Sequence, residues 1–230
     1  MEILAIIPAR GGSKGIPKKN MALLCGEPLL HYTFEAAKKS SLITRVILST
    51  DDEVFAKYAE SNGVEISMRP PELASDSAVM KDVINYHLDS LKDRGYEPDI
   101  FILLQPTSPL RTSEHIDEAL RLLIEDDIAD AIVSVIPVPH QFLPMKLMEL
   151  NDSGFLDFHV SGGEKYTTRQ ALPTLYARNG AAIYAVYTKV YRETGSLYGS
   201  NCLPYIMDSY SSIDIDEPFD LFLAEKIMSL

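Results

Sequence analysis

The sequence predicts an α/β fold in which a mostly parallel sheet lies between helices. Short, continuous runs of apolar and β-branched residues recur along the first 137 residues, as expected of strands buried on both faces. Helix-length segments alternate with these runs. A Gly-rich basic loop follows the first run directly, where open α/β sheets gather their ligands. At 230 residues the chain suits one such domain with a modest insertion, because single cores stop growing at roughly 250–300 residues.

The first strand is Ile3 to Pro8, bounded by proline and glycine. Residues Arg10 to Asn20 hold three glycines, a proline and four basic residues and read as a loop. Pro28 to Lys39 is a helix, with proline suited to its first turn and Lys38 and Lys39 suited to its last. Val46 to Thr50 is a second strand. Asp51 and Asp52 then cap a helix that stops at Gly63, and Val64 to Ser67 is a short strand. A helix from about Ala78 to Lys92, a strand from Asp99 to Leu104, a helix opened by Ser113 and a strand from Ala131 to Pro137 continue the rhythm. From about 138 to 176, prolines, Gly154, Gly162 and Gly163 interrupt it, and this stretch reads as an insertion. A strand from Gly180 to Tyr187, a short helix near Lys189, short strands at Tyr205–Met207 and Ile213–Ile215, and a helix from Pro218 to Met228 complete the chain.

The net charge of -12 argues against general nucleic-acid or anionic-membrane binding. Arg10, Lys14, Lys18 and Lys19 nevertheless fall within ten residues with no acid among them. Such a run suits either a local anion site or a solvated loop. Cys25 and Cys202 lie far apart, in no metal or redox spacing. With no signal-peptide pattern and no apolar run near the roughly 20 residues that span a bilayer, the expectation is a reduced, cytoplasmic setting.

Four constellations could carry chemistry. The first is the loop PARGGSKGIPKKN, from Pro8 to Asn20. Its glycines let backbone N–H groups approach phosphate oxygens, and Arg10 with a lysine can balance their charge. It has neither Walker A nor dinucleotide-fingerprint spacing. Its candidate nucleotide-binding residues are Arg10, Gly11, Gly12, Ser13, Lys19 and Asn20. The second is LQPTSPLR, where prolines fix a turn that could bring Gln105 and Arg111 to the same crevice; an ordinary turn with an exposed arginine fits equally. The third is SIDID. On a strand, Asp214 and Asp216 would share one face and a cation, although Asp216 could instead cap the helix that follows. The fourth places Arg169 and then Arg178-Asn179-Gly180 in a Pro- and Gly-bounded region. It suits carboxylate recognition or an inter-subunit salt bridge. The five histidines show no metal spacing and read as structural or surface residues.

Taken together, IPARGGSKGIPKKN, RPPELASD, LLQPTSPLR, RQALP with ARNGAAIY, and SIDIDEPFDL resemble, in the same order and over nearly the whole chain, the CMP-sialic acid synthetases (acylneuraminate cytidylyltransferases). The resemblance implies a Rossmann-like nucleotidyltransferase fold. It also implies a homodimer whose insertion at about 138–176 reaches the partner's active site. It implies a Mg²⁺-dependent reaction of CTP with an acidic nine-carbon sugar, a nonulosonic acid, to give the CMP-sugar and pyrophosphate. On this resemblance Arg10, Lys19 and Asn20 fall on nucleotide and phosphate positions. Arg69 and Gln105 lie near nucleotide and sugar, Lys146 and Arg169 face the sugar and its carboxylate, and Asp214 and Asp216 hold the metal. The expected catalytic set is Arg10, Lys19, Asp214 and Asp216, with Gln105, Arg111, Lys146, Arg169 and Asn179 on the sugar side. One departure is Met80, where relatives often carry a small hydroxyl residue that touches the nucleotide. Rival readings are a cytidylyltransferase for the eight-carbon acid Kdo, an enzyme acting on a sugar phosphate, and a non-catalytic nucleotide-binding module.

Overall fold

The computed structural model describes residues 1–13, 15–75, 78–180 and 182–230. Strand β1 (Ile3–Pro8) leads through the basic loop to a two-strand turn, β2 (Leu23–Leu24) and β3 (Glu27–Pro28). Then come α1 (Leu29–Lys39), β4 (Arg45–Thr50), α2 (Glu53–Ser61), β5 (Glu65–Met68), α3 (Met80–Lys92), β6 (Ile100–Leu103), α4 (Ser113–Glu125) and β7 (Ala131–Pro137). The insertion carries a small hairpin, β8 (Met148–Leu150) with β9 (Leu156–Phe158), and ends in β10 (Tyr176–Arg178). The chain closes with β11 (Tyr184–Tyr187), α5 (Thr188–Thr194), β12 (Cys202–Ile206) and α6 (Pro218–Met228).

The main sheet runs β10-β7-β11-β6-β1-β4-β5. The pairs among β6, β1, β4 and β5 are parallel, whereas β11 is antiparallel to both β6 and β7. The outer side of β7 is shared: β12 pairs with Ala131–Val135 in parallel, and β10 with Val135–Pro137 antiparallel.

Alternation along β1 explains its unbroken apolar run. Ile3, Ala5 and Ile7 pack into one core with α1, α2 and α4, while Leu4 and Ile6 pack into a second core with α3 and α5. Both sheet faces are thus dry, as a parallel sheet between helix layers requires. A third, smaller cluster joins Leu24, Leu29, Ile215 and Ala224.

Most predicted elements are present, with differences at their edges. The helix expected from Ala78 begins at Met80, whereas α4 opens at Ser113 as expected, with Thr112 as its cap. The strand expected at Tyr205–Met207 runs from Cys202 to Ile206. The strand expected at Ile213–Ile215 is absent: the segment is irregular, and Ile213 and Ile215 serve the third cluster. Among the described residues no helix is long and apolar enough to cross a membrane.

Asp117 ties the start of α4 to the end of α1. It is buried and accepts from Ser40 Oγ, Ser41 N–H at 3.0 Å and Ser41 Oγ at 2.6 Å. Burial pushes its pKa up, but these hydrogen bonds outweigh that and hold it below the usual value. Asp117→Ala removes a charged acceptor from three donors and is expected to cost about 2–3 kcal/mol. In urea unfolding this appears as a lower midpoint with an unchanged slope.

Candidate active site

A cleft of about 480 Å³ opens beyond the carboxyl ends of β1, β5 and β6, the position where open α/β sheets bind ligands. Arg10, Gly12, Ser13, Lys19 and Asn20 line it from the basic loop, Arg69 from the segment after β5, and Gln105 and Thr107 from the loop after β6. Met80, at the first turn of α3, and Asp216 complete much of the wall. Lys14 lies outside the described residues.

The loop's glycines work in two ways. Gly12 lines the cleft, whereas the Gly11 N–H donates to Asp51 Oδ1 at 2.9 Å and the residue packs against Asp52. Gly11 therefore braces the loop against the end of β4 and does not present its N–H to a ligand. A side chain at Gly15 would collide with the Asp216 carbonyl, so this glycine permits the loop to lie against the 213–216 segment. Asn20 Nδ2 donates to the Arg10 carbonyl at 3.3 Å and closes the loop on itself.

Charge is concentrated here despite the acidic chain. Arg69 is 8% exposed, and burial lowers its pKa to about 10; Asp51 raises it and Arg10 lowers it further. It stays protonated at neutral pH. Two guanidinium groups that repel each other across one cleft are a local excess of positive charge that an anion relieves. Lys19 Nζ contacts Asp216 Oδ1 at 2.8 Å, with the aspartate side chain 72% exposed.

The acidic segment is organised differently from the expected strand. Ile215 N–H donates to the Thr107 carbonyl at 2.7 Å, and the two isoleucines point into the third cluster. Asp216 is not the helix cap. Glu217 holds that position, and Asp220 Oδ2 accepts the N–H groups of Asp216 and Glu217 at 2.9 and 2.8 Å. The Asp216 carboxylate is thus left to Lys19 and the cleft. Asp214 is half-buried and packs against Gly180, where an added Cβ would sit 2.5 Å from its carboxyl carbon. Gly180 also has φ +73, so glycine is required twice over. The Asp214 pKa is raised, first by burial and also by Asp216 and Asp220, with Thr107 and Lys19 opposing. Thr107 favours the charge, yet Asp214 Oδ1 and Thr107 Oγ1 are both buried without a hydrogen-bond partner.

Several expected substrate contacts lie elsewhere. Arg111 is 2% exposed inside the core and donates to the Gln105 and Ala182 carbonyls at 3.2 and 3.0 Å and to Thr33 Oγ1 at 2.8 Å. It supports the floor of the cleft from behind and does not face a ligand. Asn179 is buried too: it accepts from Ser134 Oγ at 2.6 Å and donates to Ser212 Oγ at 2.9 Å, joining β7 to the start of the acidic segment. Lys146 and Arg169, in the insertion, do not line this cleft; Lys146 Nζ bonds the Tyr166 carbonyl. Among the described residues no three His, Cys, Asp or Glu side chains gather as a metal cage.

The sequence profile described as cytidylyltransferase matches residues 4–198. The chain belongs to the cytidylyltransferase family. Over 227 residues it is 40% identical to an N-acylneuraminate cytidylyltransferase of Escherichia coli O18:K1:H7, covering 98% of this chain and 52% of that protein. It is 35% identical to a CMP-N,N'-diacetyllegionaminic acid synthase of Legionella pneumophila, covering 100% of this chain and 97% of that one. The chain thus spans about half the length of the first relative and nearly all of the second. A solved CMP:2-keto-3-deoxy-manno-octonic acid synthetase complexed with CTP shares the fold, with TM-score 0.71 at 16% identity over 100% of this chain and 99% of that one. The Rossmann-like nucleotidyltransferase architecture is therefore that of the family.

Of the five histidines expected to be structural or surface residues, His87 of α3 is a buried structural one whose link to the cleft the sequence did not show. It has no exposure, and burial followed by the Arg69 charge pushes its pKa down to about 4. Between pH of about 6.5 and about 4 the unfolded chain binds a proton that the folded chain does not. Stability from this group is therefore complete above about pH 6.5 and declines as pH falls, with a slope approaching about 1.4 kcal/mol per pH unit. His87→Leu should flatten that part of the pH dependence. Urea midpoints of the two proteins compared between about pH 7 and pH 5 measure it.

Proposed function

We propose that the cleft joins CTP to a nonulosonic acid, giving the CMP-sugar and pyrophosphate. The observation that carries this reading is the convergence of Arg10, Lys19, Asn20, Arg69 and Gln105 with Asp216 in one cleft. Likeness to the Legionella synthase over nearly its whole length supports it.

In the reaction the sugar's anomeric hydroxyl gives up its proton to solvent and its oxygen bonds to the α-phosphorus of CTP. The bond between that phosphorus and the bridging oxygen breaks, and pyrophosphate leaves with the electron pair. Little covalent work falls to the protein, so positioning and charge dominate. Arg10 and Arg69 draw the nucleotide's negative charge into the cleft, and Lys19 adds a third cation. Gly12 and Ser13 form the backbone wall against the phosphates, and Gln105 with Asn20 supplies neutral donors and acceptors.

The residues present fit Mg²⁺. Asp214 carries a buried oxygen without a partner, and Asp216 carries an open carboxylate. One or two carboxylates combined with substrate phosphates is the usual way this ion is held. Bound there, Mg²⁺ would supply charge stabilisation to the phosphates and acidify the attacking hydroxyl.

The reading includes a homodimer. Phe142, Met148, Leu150, Phe155, Leu156 and Phe158 of the insertion are exposed apolar side chains on one compact unit. A second copy of the chain would cover them. Lys146 and Arg169 would then serve the partner's cleft, with Arg169 clamping the sugar carboxylate. A cytoplasmic setting agrees with the nucleotide substrate and with Cys25 and Cys202 being free thiols.

Pyrophosphate release with CTP and Mg²⁺ is expected with a nonulosonic acid and absent with a sugar 1-phosphate. Asp216→Ala should lower kcat at least about 100-fold. CTP binding without release across N-acetylneuraminic, N,N'-diacetyllegionaminic and Kdo substrates would show a binding module instead.

Shared sites give a second test. Asp216→Ala and Arg169→Ala chains are each expected to be inactive alone. When they are mixed from denaturant, heterodimers should regain one intact site each, and the mixture roughly a quarter of normal activity. No recovery would mean that each cleft uses its own insertion.

A further inference from the structure

His87 does not line the cleft, yet it is built into the support of the cleft's wall. On α3 it shares a face with Val83, Ile84, Leu88 and Leu91, all buried, and Tyr86 packs edge-on against its ring at 5.2 Å. Both ring nitrogens are engaged. Nε2 meets Ser49 Oγ on β4, and Nδ1 meets Ser67 Oγ on β5 at 2.8 Å. Ser49 is also the anchor of Arg69: its Oγ accepts from Arg69 Nε at 2.7 Å and its carbonyl from Nη2 at 3.1 Å.

The direction of each bond follows from the donor inventory. A guanidinium has only donors, so Ser49 Oγ must accept from Arg69. The single Ser49 hydroxyl proton then goes to His87 Nε2, which must be bare. Nδ1 therefore carries the ring proton and donates it to Ser67 Oγ. In the opposite tautomer Nε2–H and Arg69 Nε–H would both point at Ser49 Oγ, and a buried hydroxyl proton would have no acceptor among these groups.

We propose that His87, acting through Ser49, is a positioning residue that fixes the Arg69 guanidinium at the cleft for the nucleotide. Two of the three guanidinium nitrogens are tied down, which leaves Nη1 to a ligand. The chemistry of the strut is specific. A carboxylate in place of the Ser49–His87 pair would orient the arginine equally well but would cancel its charge. A neutral hydroxyl backed by a neutral imidazole orients it and leaves the positive charge for the phosphates. The depressed proton affinity of the buried ring keeps the strut neutral at physiological pH. This inference rests on the reading of the cleft as a nucleotide site.

The first measurement needs no variant. The imidazole ¹⁵N shifts of the wild-type protein at neutral pH should show His87 with Nδ1 protonated and Nε2 bare; a protonated Nε2 overturns the proposal. The second uses His87→Leu, close in volume but without ring nitrogens, and His87→Gln, whose Oε1 can take the Ser49 proton. In His87→Leu the Arg69 Nε–H resonance, protected in the wild type, should exchange rapidly. KM for CTP should rise about tenfold while kcat and KM for the sugar acid stay within about twofold. His87→Gln should restore most of both. An unchanged Arg69 resonance in folded His87→Leu overturns the proposal. If the resonance is lost while KM for CTP is unchanged, the strut stands, and Arg69 as a nucleotide contact falls.

Discussion

A guanidinium buried in an apolar core must find acceptors within the protein, and the active end of this sheet is arranged around that demand. Arg111 takes the Gln105 carbonyl in the loop after β6, the Ala182 carbonyl just before β11 and the Thr33 hydroxyl of α1. Three segments distant in sequence are thereby fixed to one side chain. The loop it holds provides Gln105, Pro106 and Thr107 to the cleft, and the Thr107 carbonyl receives Ile215. The acidic segment thus hangs from a loop that itself hangs from Arg111. An arginine that meets no ligand sets the distance between the cleft's basic and acidic walls.

The cleft itself stores electrostatic tension. The Arg10 charge adds to the cost of ionising the buried Arg69, and Asp216 and Asp220 add to that of Asp214. Lys19 against Asp216 is an ion pair that bridges the two groups. Packing around glycine holds these charges in place: Gly15 admits the acidic segment and Gly180 admits Asp214. A polyanion with a hard cation would satisfy both sets together. The arrangement therefore suits a nucleoside triphosphate better than a neutral ligand under the proposed reading.

Much of the sheet was legible because strands buried on both faces leave unbroken apolar runs, as in β1, β4, β6 and β7. Strand β12 was misplaced by a few residues because Pro204 argues against a strand interior. It is tolerated here because, among the described residues, β12 pairs with β7 alone and is an edge strand. SIDID looked like a strand because two isoleucines alternate with two acids, but that period reports only which side is dry. Here the dry side is a satellite cluster rather than a sheet face. The basic loop was legible from its composition. Arg111 and Asn179 were not, because nothing local in a sequence separates a buried arginine or asparagine from one that faces a ligand. His87 carried a usable signal: it falls at helical spacing with Val83 and Leu91, on the apolar face of α3.

The insertion leaves the sheet from β7 and comes back to the same strand as β10. Val138 N–H donates to the Leu175 carbonyl at 2.8 Å across its base. Its two ends are therefore neighbours, stapled before any of the intervening chain is specified. Doubling the length of such a loop adds only about 0.6 kcal/mol of closure entropy. The segment is a cassette: it can be lengthened, shortened or exchanged while the sheet, the Arg111 anchor and the basic loop keep their places. Under the proposed reading, in which the insertion serves a partner's cleft, evolutionary drift in the sugar accepted would have an inexpensive route through this part of the chain, and drift in phosphate handling would not.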